Sequence, residues 1–460
     1  MNNLTKSHKV GEIRPSQLLF TFGVGALIDL PHLSVIVMGL DRWNENMARD
    51  IPEERLLNIV RTRLGSQVKN LKSPPFPEDS DGPFIPLNQN NFIGVPVSVF
   101  PQWMLCPQCR SLIPVSSGLL TFKSDPVRID KNRYIHNNCM KAKKPPDVVP
   151  ARFLVACKKG HLDEFPWVEF VHKGQTCNGR LKFKEMGIGA RGIDLYIECE
   201  ECGSVRNMVE AFTSPGEVFG KCKGKHPHLN IQEECNEPLS SIVLGASNSW
   251  FPLLLSVLSV PTSDNELVEI INKYWQSHFH DVDRPEVIKF VLKNETLKRL
   301  NKYTTEEIWD VIKQKRDNTS SNNHQDISDI KGPEWKLLTN PSSISNNKDL
   351  QLKEVNPPDR YKKYISKVVL VERLREVRSL IGFTRIEAPG DLSDSDEFNY
   401  DNMAKLSRGK PTWVPAIEIR GEGIFIQFDE KIIQDWLQLE SVKKRDQEFF
   451  LSHIKWREVR

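Results

Sequence analysis

The apolar residues of this chain change period several times, and each change marks an element. "SVIVMGL" (34–40) is a short unbroken apolar run rich in β-branched side chains, which predicts a buried strand. The segment before it, "FTFGVGALIDLP", is apolar but interrupted by Gly23 and Gly25, which permit a close backbone approach or a positive φ. In "IPEERLLNIVRTRLGSQ" the spacing turns helical, with Pro52 at an N1-like position, Glu53 and Glu54 next, and Gly65 at the end. A strand is predicted over 151–157, followed by a Gly turn and a helix start near Pro166. "GRLKFKEMG" and "IDLYIECEECG" alternate with period two and read as strands. "LGASNSWFPLLLSVLSVP" predicts an apolar helix or a strongly buried segment, and 263–315 is mostly helical, with Thr305 as an N-cap. "WVPAIEIRGEGIFIQFDEKIIQDWLQ" predicts strand, Gly turn, strand and helix.

Between these elements lie stretches without a period. Residues 72–92 and the acidic "DLSDSDEFNYDN" read as loops, and 316–350, rich in Ser, Asn and Asp, as a flexible linker or insert. At 460 residues the chain is too long for one ordinary core. The expected architecture is α+β and multidomain: an N-terminal β-rich domain (1–100), a metal-stapled β-rich region (101–240), a helical segment (241–315), the linker (316–350) and a C-terminal α/β domain (351–460). No apolar run approaches the roughly 20 residues that span a bilayer, and the polar N-terminus lacks a secretory core, so a cytoplasmic location is expected.

Cysteine usage sharpens this picture. Nine cysteines all fall between Cys106 and Cys235. A secreted disulfide scaffold would spread them more widely, whereas clustered CxxC pairs in a reducing compartment point to metal. Cys199 and Cys202, with Cys222 and Cys235, are expected to form one tetrahedral zinc site, Gly203 serving the knuckle turn. Cys106 and Cys109, with Cys139 and Cys157, are expected to form a second, in which His136 or His161 competes for the fourth place. Cys177 is left over as a lone buried thiol; a third site from Cys157, His161, His172 and Cys177 is the weaker reading.

Several catalytic classes are excluded by what is missing. The order and flanks of "CPQC" and "GHLDEF" fail the deaminase pattern, no H-E-x-x-H exists, and no Walker loop is present. Four-thiolate sites are closed, so the zinc reads as structural. The one enzyme class kept open is a metal-dependent nuclease using Glu418, but Arg420 beside it cannot act as a base, and an ion pair is the better reading. The net charge of +3 argues against a basic coat, although "KAKK", "CKKGH", "KCKGKH" and "RYKKY" could form a local phosphate-contacting face.

Five stretches in order, "RPSQLLFTFGVGALIDLPHLSVIVMGLDRW", "ARFLVACKKGHLDEFPWVEFVH", "GASNSWFPLLLSVLSVP", "RLREVRSLIGFTRI" and "PAIEIRGEGIFIQF", resemble the DrmB family of the bacterial DISARM anti-phage systems. The resemblance runs to about residue 436. It implies a zinc-binding domain related to that of the MrfA helicase, and a non-catalytic subunit paired with DrmA, a helicase-like ATPase, on invading DNA. Members of that family commonly continue with a further His- and Cys-containing helical segment, so the C-terminus here is expected to be short relative to the family.

Overall fold

A computed structural model of the protein describes residues 6–8, 13–75, 84–86, 94–125, 128–186, 194–213, 215–260, 267, 270–271, 274–320, 331–343, 346–389 and 400–458. Most of the expected loops at 72–92 and 391–402, and the centre of the expected linker at 316–350, lie outside the described residues. The architecture is a mixture of helices and several sheets, as the α+β reading anticipates. It divides into two compact units, Met1–Ser256 with Val377–Glu418, and Val257–Glu376 with Ile419–Arg460.

The first unit is β-rich and contains every cysteine. The run predicted as a buried strand is Ser34–Val37, buried at all four positions between Leu27–Asp29 and Val97–Val99. Helix Glu54–Leu64 ends at Gly65, whose φ of 107° is a conformation that favours glycine. A six-stranded sheet includes Trp103–Leu105, Ser111–Pro114, Leu181–Met186 and Asp194–Cys199. A three-stranded sheet places Phe153–Ala156 between Leu162–Glu164 and Ser240–Val243. Phe165, Trp167 and Phe170 fill the space beside these sheets and are almost wholly buried, each contributing roughly 1.5–3 kcal/mol of hydrophobic stabilisation.

In the second unit the predicted helical segment packs Leu267, Ile271, Phe279, Ile288, Ile308 and Ile312 into a core of its own. Its helix Thr305–Ser320 is capped by Thr304, one residue earlier than expected: the Thr304 Oγ1 accepts from the Glu307 N–H (3.2 Å) while Glu307 accepts from the Thr304 N–H (2.7 Å). Helix Gly332–Thr339 falls within the expected linker and buries Glu334 and Leu337.

Two elements differ from the sequence reading. "FPLLLSVL" is a strand, Phe251–Leu258, with burial alternating along it, because Pro252 and the period-two packing disfavour a helix. "WVPAIEIRGEGIFIQF" is one strand, Trp413–Phe428, without a turn at its glycines. Gly421 and Gly423 are not among the positive-φ residues, so nothing there reverses the chain.

One buried cation ties distant parts of the first unit together. Arg385 is fully buried, and its guanidinium donates to the carbonyls of Gly160 (Nε, 3.1 Å), Gly25 (Nη2, 2.7 Å) and Ser249. Burial pulls its pKa down to about 9, which still leaves it charged at neutral pH. Replacing Arg385 by Met leaves three buried carbonyls without their donor. The change should destabilise the first unit by about 3–5 kcal/mol in urea unfolding followed by tryptophan fluorescence, with Lys unable to restore it. A loss below about 1 kcal/mol would contradict this role.

Candidate metal centres

The strands of the first unit bring the cysteines together in three sets, each of three Cys and one His. The first is Cys106, Cys109, His136 and Cys139; the second Cys157, His161, Cys222 and Cys235; the third His172, Cys177, Cys199 and Cys202. Together they use all nine thiols, and each is free of disulfide. The odd cysteine count is therefore three threes.

Each set is built on a knuckle that the local sequence specifies. The Cys106 N–H donates to the Ser111 carbonyl (3.0 Å) and the Arg110 N–H to the Cys106 carbonyl (2.8 Å). The Cys199 N–H and Ser204 carbonyl (2.9 Å), and the Gly203 N–H and Cys199 carbonyl (3.0 Å), repeat that turn. The fifth residue of each is left-handed, Arg110 at φ 62° and Gly203 at 70°. At Cys157 the turn is one residue tighter and reverses at Gly160, which sets His161 beside Cys157.

The second half of each set arrives by strand pairing. Leu181–Met186 pairs antiparallel with Asp194–Cys199, so Leu181 faces Cys199 and the preceding Cys177 lies 3.7 Å from its sulfur. Phe153–Ala156 pairs with Ser240–Val243, placing Ala156 opposite Ser240 and Cys235 4.0 Å from Cys157. Arg133–His136 pairs with Leu120–Lys123 and delivers His136 Nδ1 to 3.6 Å from Cys109, while Cys139 lies 3.9 Å from Cys106.

These separations fit a shared metal ion. Ligands at about 2.3 Å (S) and 2.0–2.1 Å (N) in a tetrahedron lie about 3.8 Å (S to S) and 3.6 Å (S to N) apart. A disulfide would need about 2.05 Å. The histidines are oriented for ligation. The buried His172 directs Nδ1 to the Val168 carbonyl (2.7 Å), and its Nε2 has no hydrogen-bond partner. His161 places Nδ1 3.2 Å from Cys157 and Nε2 3.0 Å from Glu233. The electrostatics of the thiols suit a cation. A hydrogen bond from Cys222 draws the Cys157 pKa well down, and the same contact, with burial, drives Cys222 up; burial likewise raises Cys106. Ionising one thiol makes its neighbour harder to ionise, and a divalent ion at the centre reverses that by favouring all three thiolates. The quartets could hold a metal ion on these grounds.

The structure regroups the residues singled out from the sequence. Cys199 and Cys202 join His172 and Cys177, not Cys222 and Cys235. Cys106, Cys109 and Cys139 join His136, while Cys157 goes with His161, Cys222 and Cys235. Cys177 is not a lone thiol, and the weaker set of Cys157, His161, His172 and Cys177 is divided between two sites. Neighbours in sequence misled because antiparallel pairing, not chain order, chooses the partners. His136 takes the fourth place for which it competes in the sequence reading, and the spacings Cys157-x3-His161 and His172-x4-Cys177 carry the signal that each of these pairs belongs to its own set. Glu418 is exposed on its strand outside all three sets, and Arg420 pairs with Asp349 at 3.1 Å. Among the described residues no helix is long and apolar enough to cross a membrane.

Residues 14–251, more than half of the chain and the whole of the three quartets, match a family described as a domain of unknown function (DUF8724), and the chain belongs to that family. More particularly, it is similar to the DISARM protein DrmB of Bacillus paralicheniformis, 26% identical over 453 residues that cover 92% of this chain and 72% of that protein. The family resemblance read from the five sequence stretches is thereby supported across both units.

Elemental analysis of the purified chain should find three metal ions per chain. Cys177→Ser should lower the content by one and leave the rest of the first unit folded by circular dichroism. Two ions per chain, unchanged in that variant, would restore the lone-thiol reading.

Proposed function

We propose that this chain is a non-catalytic, zinc-stapled binding subunit of a DISARM anti-phage complex, holding a helicase-like ATPase partner, DrmA, and contacting DNA. The observation that carries the non-catalytic reading is the closure of the donor sets. Each supplies four protein ligands, which fill a tetrahedral zinc and leave no position for water or substrate. Thiolate-rich sets of this composition suit zinc, and the binding energy of such an ion is folding energy for a β-rich unit made of short strands. Work in a defence complex is supported by the likeness to DrmB over most of the chain.

The distribution of paired and unpaired lysines supports one DNA-facing surface over the others. Lys158 pairs with Glu387 (2.6 Å), Lys225 with Asp163 (2.8 Å) and Lys362 with Asp359 (2.5 Å), so three of the four basic clusters are partly neutralised. In the remaining cluster, Lys141, Lys143 and Lys144 are exposed and have no ion pair among the described residues. They follow Cys139 directly, beside Met140 at 90% exposure, on the rim of the first quartet. A metal-rigidified knuckle carrying three free ammonium groups suits phosphate contacts.

Two measurements test this reading. Co-expression with the helicase-like partner should give a stable complex. In fluorescence anisotropy with DNA, the Lys141→Ala, Lys143→Ala, Lys144→Ala triple variant should reduce the log–log salt slope by about 2–3. An unchanged slope would remove this face from DNA binding, and Mg²⁺-dependent cleavage of DNA lost on Glu418→Ala would overturn the non-catalytic reading.

A further inference from the structure

The second quartet has an outer carboxylate partner, which the other two lack among the described residues; His172 of the third is held by the Val168 carbonyl instead. Glu233 lies in the loop between Cys222 and Cys235, and its Oε1 is 3.0 Å from His161 Nε2 and 3.1 Å from His226 Nε2. Its other oxygen accepts from Lys405 Nζ at 2.5 Å. His161 and His226 are almost wholly buried, and their rings lie 4.4 Å apart. A carboxylate only accepts, so each imidazole must present an N–H to it. That leaves Nδ1 of His161 bare on the side facing Cys157.

His161, His226 and Glu233 could instead be read as a further metal set. The distances argue otherwise. The His161 and His226 contacts to Glu233, at 3.0 and 3.1 Å, are those of charge-assisted hydrogen bonds. Lys405 also brings a positive charge to the carboxylate where a cation would have to sit.

We propose that Glu233 is the positioning residue of the second centre: it fixes the tautomer and ring orientation of His161 and so sets the affinity of that quartet for its metal. The inference rests on the reading that the quartet is occupied. Lys405 holds the carboxylate from the segment that also carries Arg385, and His228 Nε2 donates to the Lys405 carbonyl (2.9 Å). The affinity of this centre is therefore coupled to the docking of a segment remote in sequence. The histidines of the other two quartets have no carboxylate partner among the described residues, which makes those quartets internal controls.

The test is chelator competition on the full-length metal-loaded chain, following each ion released, with ¹⁵N-detected NMR of the histidine rings. In Glu233→Ala, one of three ions should bind about 10–100-fold more weakly while the other two are unchanged. The exchange-protected Nε2–H signal of His161 should be lost. Glu233→Gln, which keeps an acceptor of the same shape, should lose less affinity and retain that signal. Lys405→Met should retain the signal too. An equal loss in Lys405→Met and Glu233→Ala, with the His161 signal kept in both, would reduce Glu233 to a surface ion pair and overturn the proposal. Unchanged release in Glu233→Ala would also overturn it, as would a fourth ion lost in that variant. A wild-type chain whose second quartet holds no metal would overturn both this inference and the reading beneath it.

Discussion

Four ligands can share one ion only if two separate chain segments are held in register to within a few tenths of an ångström. The way the first unit assembles its three quartets follows from that constraint. A single knuckle supplies two donors from local sequence, because the turn that aims them needs only a left-handed residue such as Gly203 or Arg110. The other two donors must come from elsewhere. Antiparallel pairing does this for the third quartet, where Leu181 opposes Cys199, and for the second, where Ala156 opposes Ser240. The sheets are thus the rulers that place the candidate ligands, and an ion bound there would in turn lock the register of strands too short to persist alone.

The second quartet is also where the fold closes. Gly160 turns the chain between Cys157 and His161, and its carbonyl accepts from the buried Arg385. A side chain on Gly160 would strike Ala404, whose N–H donates to the Phe383 carbonyl. The loop that carries His226, His228 and Glu233 is held at Lys405 by both its carbonyl and its ammonium group. Burial raises the cost of charge on Glu233, but Lys405, His226 and His161 outweigh it and hold the carboxyl down at about 2. His228, fully enclosed, is pushed by burial down to about 3 and stays neutral. One charged node and one neutral one therefore sit side by side, each matched to its partners.

Much of this was legible in the chain. The buried strand at Ser34–Val37, helix Glu54–Leu64 with its terminal Gly65, and the two strands around the third quartet follow from period, caps and turn residues. Local signals were misread where two structures share one pattern. Phe251–Leu258 is apolar enough for a helix, and only packing on alternate residues identifies it as a strand. Gly421 and Gly423 look like a turn, yet glycine permits a turn without requiring one.

The sequence by itself determined that the cysteines cluster as knuckles able to hold a metal rather than as a disulfide scaffold, and where those knuckles lie, because clustering, spacing and turn residues are local properties. It also carried the family resemblance through motifs in fixed order. Only the tertiary structure decided which knuckle joins which partner. It recruited a histidine into each quartet and Cys177 into the third, and it brought Arg385 and Lys405 back onto the second. Those choices depend on strand register and on contacts across more than 150 residues, where sequence separation carries no information about distance.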